Sequence, residues 1–193
     1  MPDLTAYDAI IFAGGEYGPD EFEQPIFQAE REKVLAALEA GVPILGICLG
    51  NQLLAYWLGG KVSPGRWEIG WLPVTASEAG RADPLLAGLG ASFYAFLWHG
   101  DQVTRLPEGA VILASSERCP IQVYRLGDRR VWGVQFNPQY DPVIAEGVIR
   151  AAKTLPTRGY DIDEMVATGY REYDDLAGRL FGNFLRAVEP GGG

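Results

Sequence analysis

The feature that most constrains this chain is a cysteine flanked by glycines where one backbone pattern gives way to another. The apolar run VPILGI, residues 42–47, is too short for a helix and reads as a buried strand. It passes directly into Cys48, and LGNQLLAYWLGG then reads as a helix closed by Gly59 and Gly60. Upstream, AIIFAGG is a second short apolar run that feeds a glycine-rich loop. An amphipathic helix lies between the two runs. Ile26, Glu30, Val34 and Leu38 are spaced by four, Phe27, Leu35 and Ala37 widen the apolar face, Gly41 suits its C-terminus, and Pro43 stops it. Strand, helix, strand, helix is the pattern of an α/β fold with a mostly parallel sheet flanked by helices.

The middle of the chain changes character. EIGWLPV, SFYAFLWHG, AVILASS, IQVYRL and RVWGVQF are short strand-like runs between turn residues. The end is helical again: Leu176, Leu180 and Phe184 share a face, with Phe181 and Leu185 beside them, and this stripe is expected to pack on the core. The 193 residues suit a single domain, 1–193, with 188–193 expected as a frayed tail.

Charge removes several classes of function. Net charge is −9, which disfavours nucleic acid and anionic membranes as partners. No apolar run reaches the roughly 18 residues of a membrane span, and MPDLTAYDA lacks the pattern of a signal peptide. The two cysteines, Cys48 and Cys119, make no disulfide framework, so a reducing cytoplasm is expected. His99 is the single histidine; it excludes a multi-histidine metal site, and no cofactor is expected. Five tryptophans are expected in the core or in a pocket wall, and the acidic segment YDIDEMVATGYREYDDL as a solvated helical face.

A cysteine at a strand-to-helix turn is held at the C-terminal edge of a sheet. The following helix offers unpaired N–H groups and partial positive charge, which favour a thiolate and an oxyanion alike. The same residue also suits a structural role, since cysteine is among the most buried residue types.

GVPILGICLGNQLLA resembles the nucleophile elbow of the class I, triad-type glutamine amidotransferases. YDAIIFAGG, WHGD, GVQFNPQ and RLFGNFL resemble further segments of that family in the family's order, so the resemblance spans nearly the whole chain and lies nearest to stand-alone bacterial members like the glutaminase part of GMP synthase. It implies a flavodoxin-like fold and hydrolysis of glutamine to glutamate and ammonia through a γ-glutamyl thioester. By the same resemblance Cys48 is the nucleophile, backbone N–H groups of Gly15 and Leu49 form the oxyanion hole, and Gln52, His99, Gly100 and Asp101 hold the substrate, glutamine or a related small amide.

The chain departs from the family in two places. The family's catalytic histidine and orienting glutamate fall on Asn137 and Gln139. A carboxamide makes hydrogen bonds but cannot take and return a proton near neutral pH. Cys48 would then keep a pKa near 8.5 unless the turn lowers it. In addition, the resemblance implies a first β-α-β unit ahead of YDAIIFAGG that is absent here. Its absence would leave an apolar sheet edge, with three explanations open: a re-wired sheet, completion by a second copy or a partner protein, which is the one favoured here, or a sequence shortened from a longer protein. Three readings stay open: a degenerate amidotransferase with little normal turnover, an active cysteine enzyme that moves its proton through His99, the substrate or a partner chain, and a non-catalytic assembly module.

Overall fold

In the computed structural model, which describes residues 2–189, four consecutive buried residues form the central strand β2 (Ile44–Ile47). Leu45 and Ile47 point into one apolar layer and Ile44 into the other, as the period of two requires. Each such side chain contributes about 1.5–3 kcal/mol on full burial. β1 (Ile10–Phe12) and β7 (Val131–Val134) flank β2, and both pairings are parallel.

The remaining strands are β3 (Lys61–Ala76), β4 (Ser92–Arg105), β5 (Ala110–Ser115) and β6 (Val123–Leu126). Together the seven strands form one sheet in the order β1-β2-β7-β6-β5-β3-β4. The α/β architecture is the expected one, but its parallel part is small. Parallel pairing is confined to β1, β2 and β7, and the other four pairings are antiparallel. Short connections, as between β6 and β7, permit only antiparallel neighbours, because a parallel pair needs a crossover of about a dozen residues.

Helices α1 (Pro25–Glu39) and α2 (Leu49–Trp57) cover one face through Phe27, Val34, Leu38, Leu53 and Leu54. Ile26, read as part of the buried stripe, is 55% exposed; Phe27 takes its place one position on. The opposite face is covered by α6 (Leu176–Val188), whose Leu176, Leu180 and Phe184 pack with Trp132, Val134 and Phe136. The short α3 (Glu78–Ala82) lies against β5. α4 (Pro142–Ala151) and α5 (Ile162–Glu172) pack with the β3–β4 hairpin through Ile149, Val166, Trp71 and Phe96. The acidic segment lies on and after α5, where Glu164 and Glu172 pair with Arg171, and Asp163 pairs with Arg150 from α4.

Of the expected frayed tail, Val188 is the last residue of α6 and Glu189 its C-cap; the rest lies outside the described residues. Among the described residues β1 pairs with β2 alone and forms one border of the sheet, with Ile11 49% exposed. No described helix is long and apolar enough to cross a membrane.

Candidate active site

Cys48 occupies the turn from β2 into α2 with φ 51° and ψ −107°, a conformation that a residue with a side chain adopts only where its surroundings impose it. Two hydrogen bonds hold it: Cys48 N–H donates to the Val134 carbonyl at 2.8 Å, and its own carbonyl accepts from Gln52 N–H at 3.1 Å. The turn also depends on Gly50. A Cβ there would lie 2.0 Å from the Phe12 carbonyl oxygen, so only glycine lets the start of α2 slide under the end of β1. That approach carries the loop after β1 onto the cysteine. A Cβ on Gly14 would stand 3.3 Å from Cys48 Cβ, and one on Gly15 would stand 2.7 Å from Leu49 Cδ2.

Two carboxamides, Gln135 and Asn137, reach the sulfur, and a third, Gln139, backs Asn137. Gln135 is fully buried; its Nε2 donates to Cys48 Sγ at 3.8 Å, and its Oε1 accepts from Asn51 Nδ2 at 3.0 Å and Gln52 Nε2 at 3.2 Å. Asn137 is held by its backbone N–H, which donates to the Phe96 carbonyl at 2.9 Å, and its Oδ1 accepts from Gln139 Nε2 at 3.3 Å. Asn137 and Gln139 thus come together beside Cys48.

Burial pushes the Cys48 thiol up to about 11, and the Leu49 N–H and the Asn137 side chain only partly oppose it. The expectation of a pKa near 8.5 is therefore corrected upward. Hydrogen bonds donated to sulfur do not match the hydration that burial removes.

Cys48 lies where two hollows meet. The first, about 300 Å³, is bounded by Gly15, Gln52, Trp67, His99, Gly100 and Asp101, so it gathers the residues expected to hold substrate. The second, about 570 Å³, opens on the side of Asn137 and Gln139.

His99 does not bond to Cys48. Only 4% exposed, it sets Nδ1 3.1 Å from the Asp101 carbonyl and Nε2 3.4 Å from Glu68 Oε2. Glu68 is its register partner on β3. Glu68 also accepts from the Ser116 hydroxyl at 2.8 Å, Gln122 Nε2 at 3.0 Å and Arg118 N–H at 3.3 Å. Burial alone would raise the Glu68 carboxyl. The hydrogen bonds from His99, Ser116 and Arg118, with the charge of His99, outweigh it and hold the carboxyl below its ordinary value.

The Asp101 carbonyl accepts from Gln52 Nε2 as well, at 2.9 Å. A continuous chain of contacts therefore runs from Glu68 through His99, the Asp101 carbonyl, Gln52 and Gln135 to the sulfur. It braces the first hollow, but it cannot carry a proton, because a carbonyl and two carboxamides interrupt it. The Asp101 carboxyl is raised, chiefly by burial and then by the nearby Asp20, with His99 opposing.

One ligand atom each of Glu68, His99 and Cys119 lies within 4.8 Å of the others, close enough to consider a cation. The Glu68 oxygens already have protein partners, and the Cys119 thiol donates to the Ile121 carbonyl at 3.4 Å, pushed up to about 12 by burial.

The model of one family, glutamine amidotransferase class-I, matches residues 2–147. The chain belongs to that family. The GMP synthase of Caldicellulosiruptor saccharolyticus is 42% identical over 131 residues, covering 67% of this chain and 24% of that protein. The chain spans about a quarter of the length of such GMP synthases. A glutamine-hydrolyzing GMP synthase subunit of Sulfolobus acidocaldarius is 38% identical over 141 residues, covering 72% of this chain and 71% of that relative. Among solved structures, a glutamine amidotransferase from Thermotoga maritima superposes with a TM-score of 0.80 at 30% identity, over 93% of this chain and 78% of that one.

In this member of the class-I glutamine amidotransferase family, sequence reasoning missed Gln135 and Glu68. Both had a legible signal: a glutamine inside the apolar run RVWGVQF and a glutamate inside WEIGW, each a polar group that must be satisfied once buried.

Proposed function

We propose that this class-I glutamine amidotransferase binds glutamine or a related small amide beside Cys48 but lacks normal glutaminase turnover. The observation that carries this reading is the set of groups around the sulfur. Gln135, and Gln139 acting through Asn137, direct carboxamides toward a thiol whose pKa is pushed up to about 11. None of them can accept the thiol proton or return one to departing ammonia.

In this reading Cys48 retains the nucleophile position, Asn137 and Gln139 the positions of the base and its orienting group, and Gly15 and Leu49 the oxyanion positions. Gln52, His99, Gly100 and Asp101 form the substrate cradle. A route through His99 is disfavoured, because its two ring nitrogens face the Asp101 carbonyl and Glu68.

The test is titration calorimetry with L-glutamine alongside an ammonia-release assay on the same preparation. Binding with release no faster than that of Cys48→Ala supports the reading. Cys48-dependent release at the speed of an ordinary glutaminase, with turnover numbers of about 1–10³ per second, rejects it.

A second chain is proposed on the β1 border of the sheet, where β1 pairs with β2 alone among the described residues and Ile11 is half exposed. One relative is itself a synthase subunit, which fits a protein that works with a companion. Light scattering of the purified chain, alone and with candidate synthase subunits, tests this. A monomer under all conditions, with no binding at the β1 edge, refutes it.

A further inference from the structure

The second hollow is larger than the first and differs in chemistry. Phe96, Trp98, Tyr140, Val148, Ala151 and Ala152 supply much of its wall. Its aromatic side is continuous: Phe96 lies 5.1 Å from Tyr140 and 5.9 Å from Trp98 between ring centroids. Its polar edge comes from Asn137 and Gln139, which are uncharged. Glu16, its one carboxylate, also borders the first hollow. Gly15, Glu16, Cys48 and Trp98 are common to both, so a ligand reaching from one to the other passes the sulfur. Free glutamine ends in an NH2 group and has nothing to place beyond that point.

We infer that the ligand class is N-substituted glutamine, a γ-glutamyl amide whose uncharged aromatic or branched aliphatic N-substituent fills the second hollow. This rests on the proposed binding of a glutamine-like amide beside Cys48. The glutamyl part occupies the polar first hollow and the amide group lies at the sulfur. The substituent then meets aromatic faces and small aliphatic side chains, the lining that suits an apolar ligand fixed by a few polar groups. A cationic amine is excluded from the class because its charge would leave water with only Glu16 at the shared border to pair with.

The test is calorimetric affinity for L-glutamine and for L-glutamic acid γ-anilide. In the wild-type chain the anilide is expected to bind at least tenfold more tightly. Ala151→Trp and, separately, Val148→Trp put an indole into the second hollow and are expected to bring the ratio of the two affinities down to about one. Melting curves establish that each variant is folded, and either folded variant suffices. If glutamine binds but the anilide binds no better, or if the tryptophan variants keep the ratio, the inference is overturned and the glutamine-binding reading stands. If neither ligand binds, that reading falls and the inference with it.

Discussion

The double substitution Asn137→His with Gln139→Glu is expected to start glutamine hydrolysis on this scaffold. A thiol with a pKa of about 11 is four units from half-ionisation at pH 7, so only about one molecule in 10⁴ carries a thiolate. An imidazole at position 137 would accept that proton, and a carboxylate at position 139, on the exposed side, would orient the ring and stabilise its positive charge. Raising the thiolate to a substantial fraction is worth about 10³–10⁴-fold, similar to the 10²–10⁴-fold typical of general acid–base help. The second hollow borders residue 137 and leaves room for the larger ring. Ammonia release coupled to glutamate dehydrogenase is the assay, with Cys48→Ala in the double variant as the blank. Asn137→His alone should recover part of the rate and Gln139→Glu alone none of it, since groups acting as a unit are not additive. A wild-type chain that releases ammonia within tenfold of the double variant, in a Cys48-dependent way, would refute the reasoning about the carboxamides.

Further expectations can be checked on the unmodified scaffold. Alkylation of native Cys48 by iodoacetamide should speed up about tenfold per pH unit through pH 10; a plateau near pH 9 would show that the thiol is not held protonated. Gly50→Ala forces a methyl group onto the Phe12 carbonyl and should cost about 3 kcal/mol or more by denaturant titration, where an unstrained helix interior would gain from alanine. Glu68 is held below its ordinary value, so its stabilising contribution is present above the unfolded-state pKa and lost as pH falls through the folded-state value. Glu68→Gln should therefore flatten the acid limb of the stability curve, and an unchanged limb counts against the brace. Asp101 has the opposite sign, so its ionised form opposes folding at neutral pH. Asp101→Asn should raise the melting temperature while weakening glutamine binding, and a lowered melting temperature would contradict this.

Much of the fold was legible because burial writes a period into the chain. VPILGI, with four consecutive buried residues in β2, and the Leu176–Leu180–Phe184 stripe were read from apolar spacing alone. The extent of antiparallel pairing was not, because a short apolar run does not say which neighbour it takes; connection length decides that. Ile26 was misread for a similar reason: a spacing of four drifts around a helix of 3.6 residues per turn, and Phe27 faces the core instead. At the site, the elbow cysteine was visible from its glycines. The alkaline thiol was not, since desolvation is a property of how β1, β7 and α2 close around the sulfur. The role of Glu68 was hidden by distance along the chain, as His99 and Ser116 reach it only through the β3–β4 register and the loop after β5.

The seat around the sulfur has one further consequence. Carboxamides and a backbone N–H keep the same charge from weakly acidic to alkaline conditions, and the thiol they surround stays neutral over that span. At those contacts, occupancy by a bound amide would follow its concentration, and changes of acidity over that span leave the contacts themselves untouched.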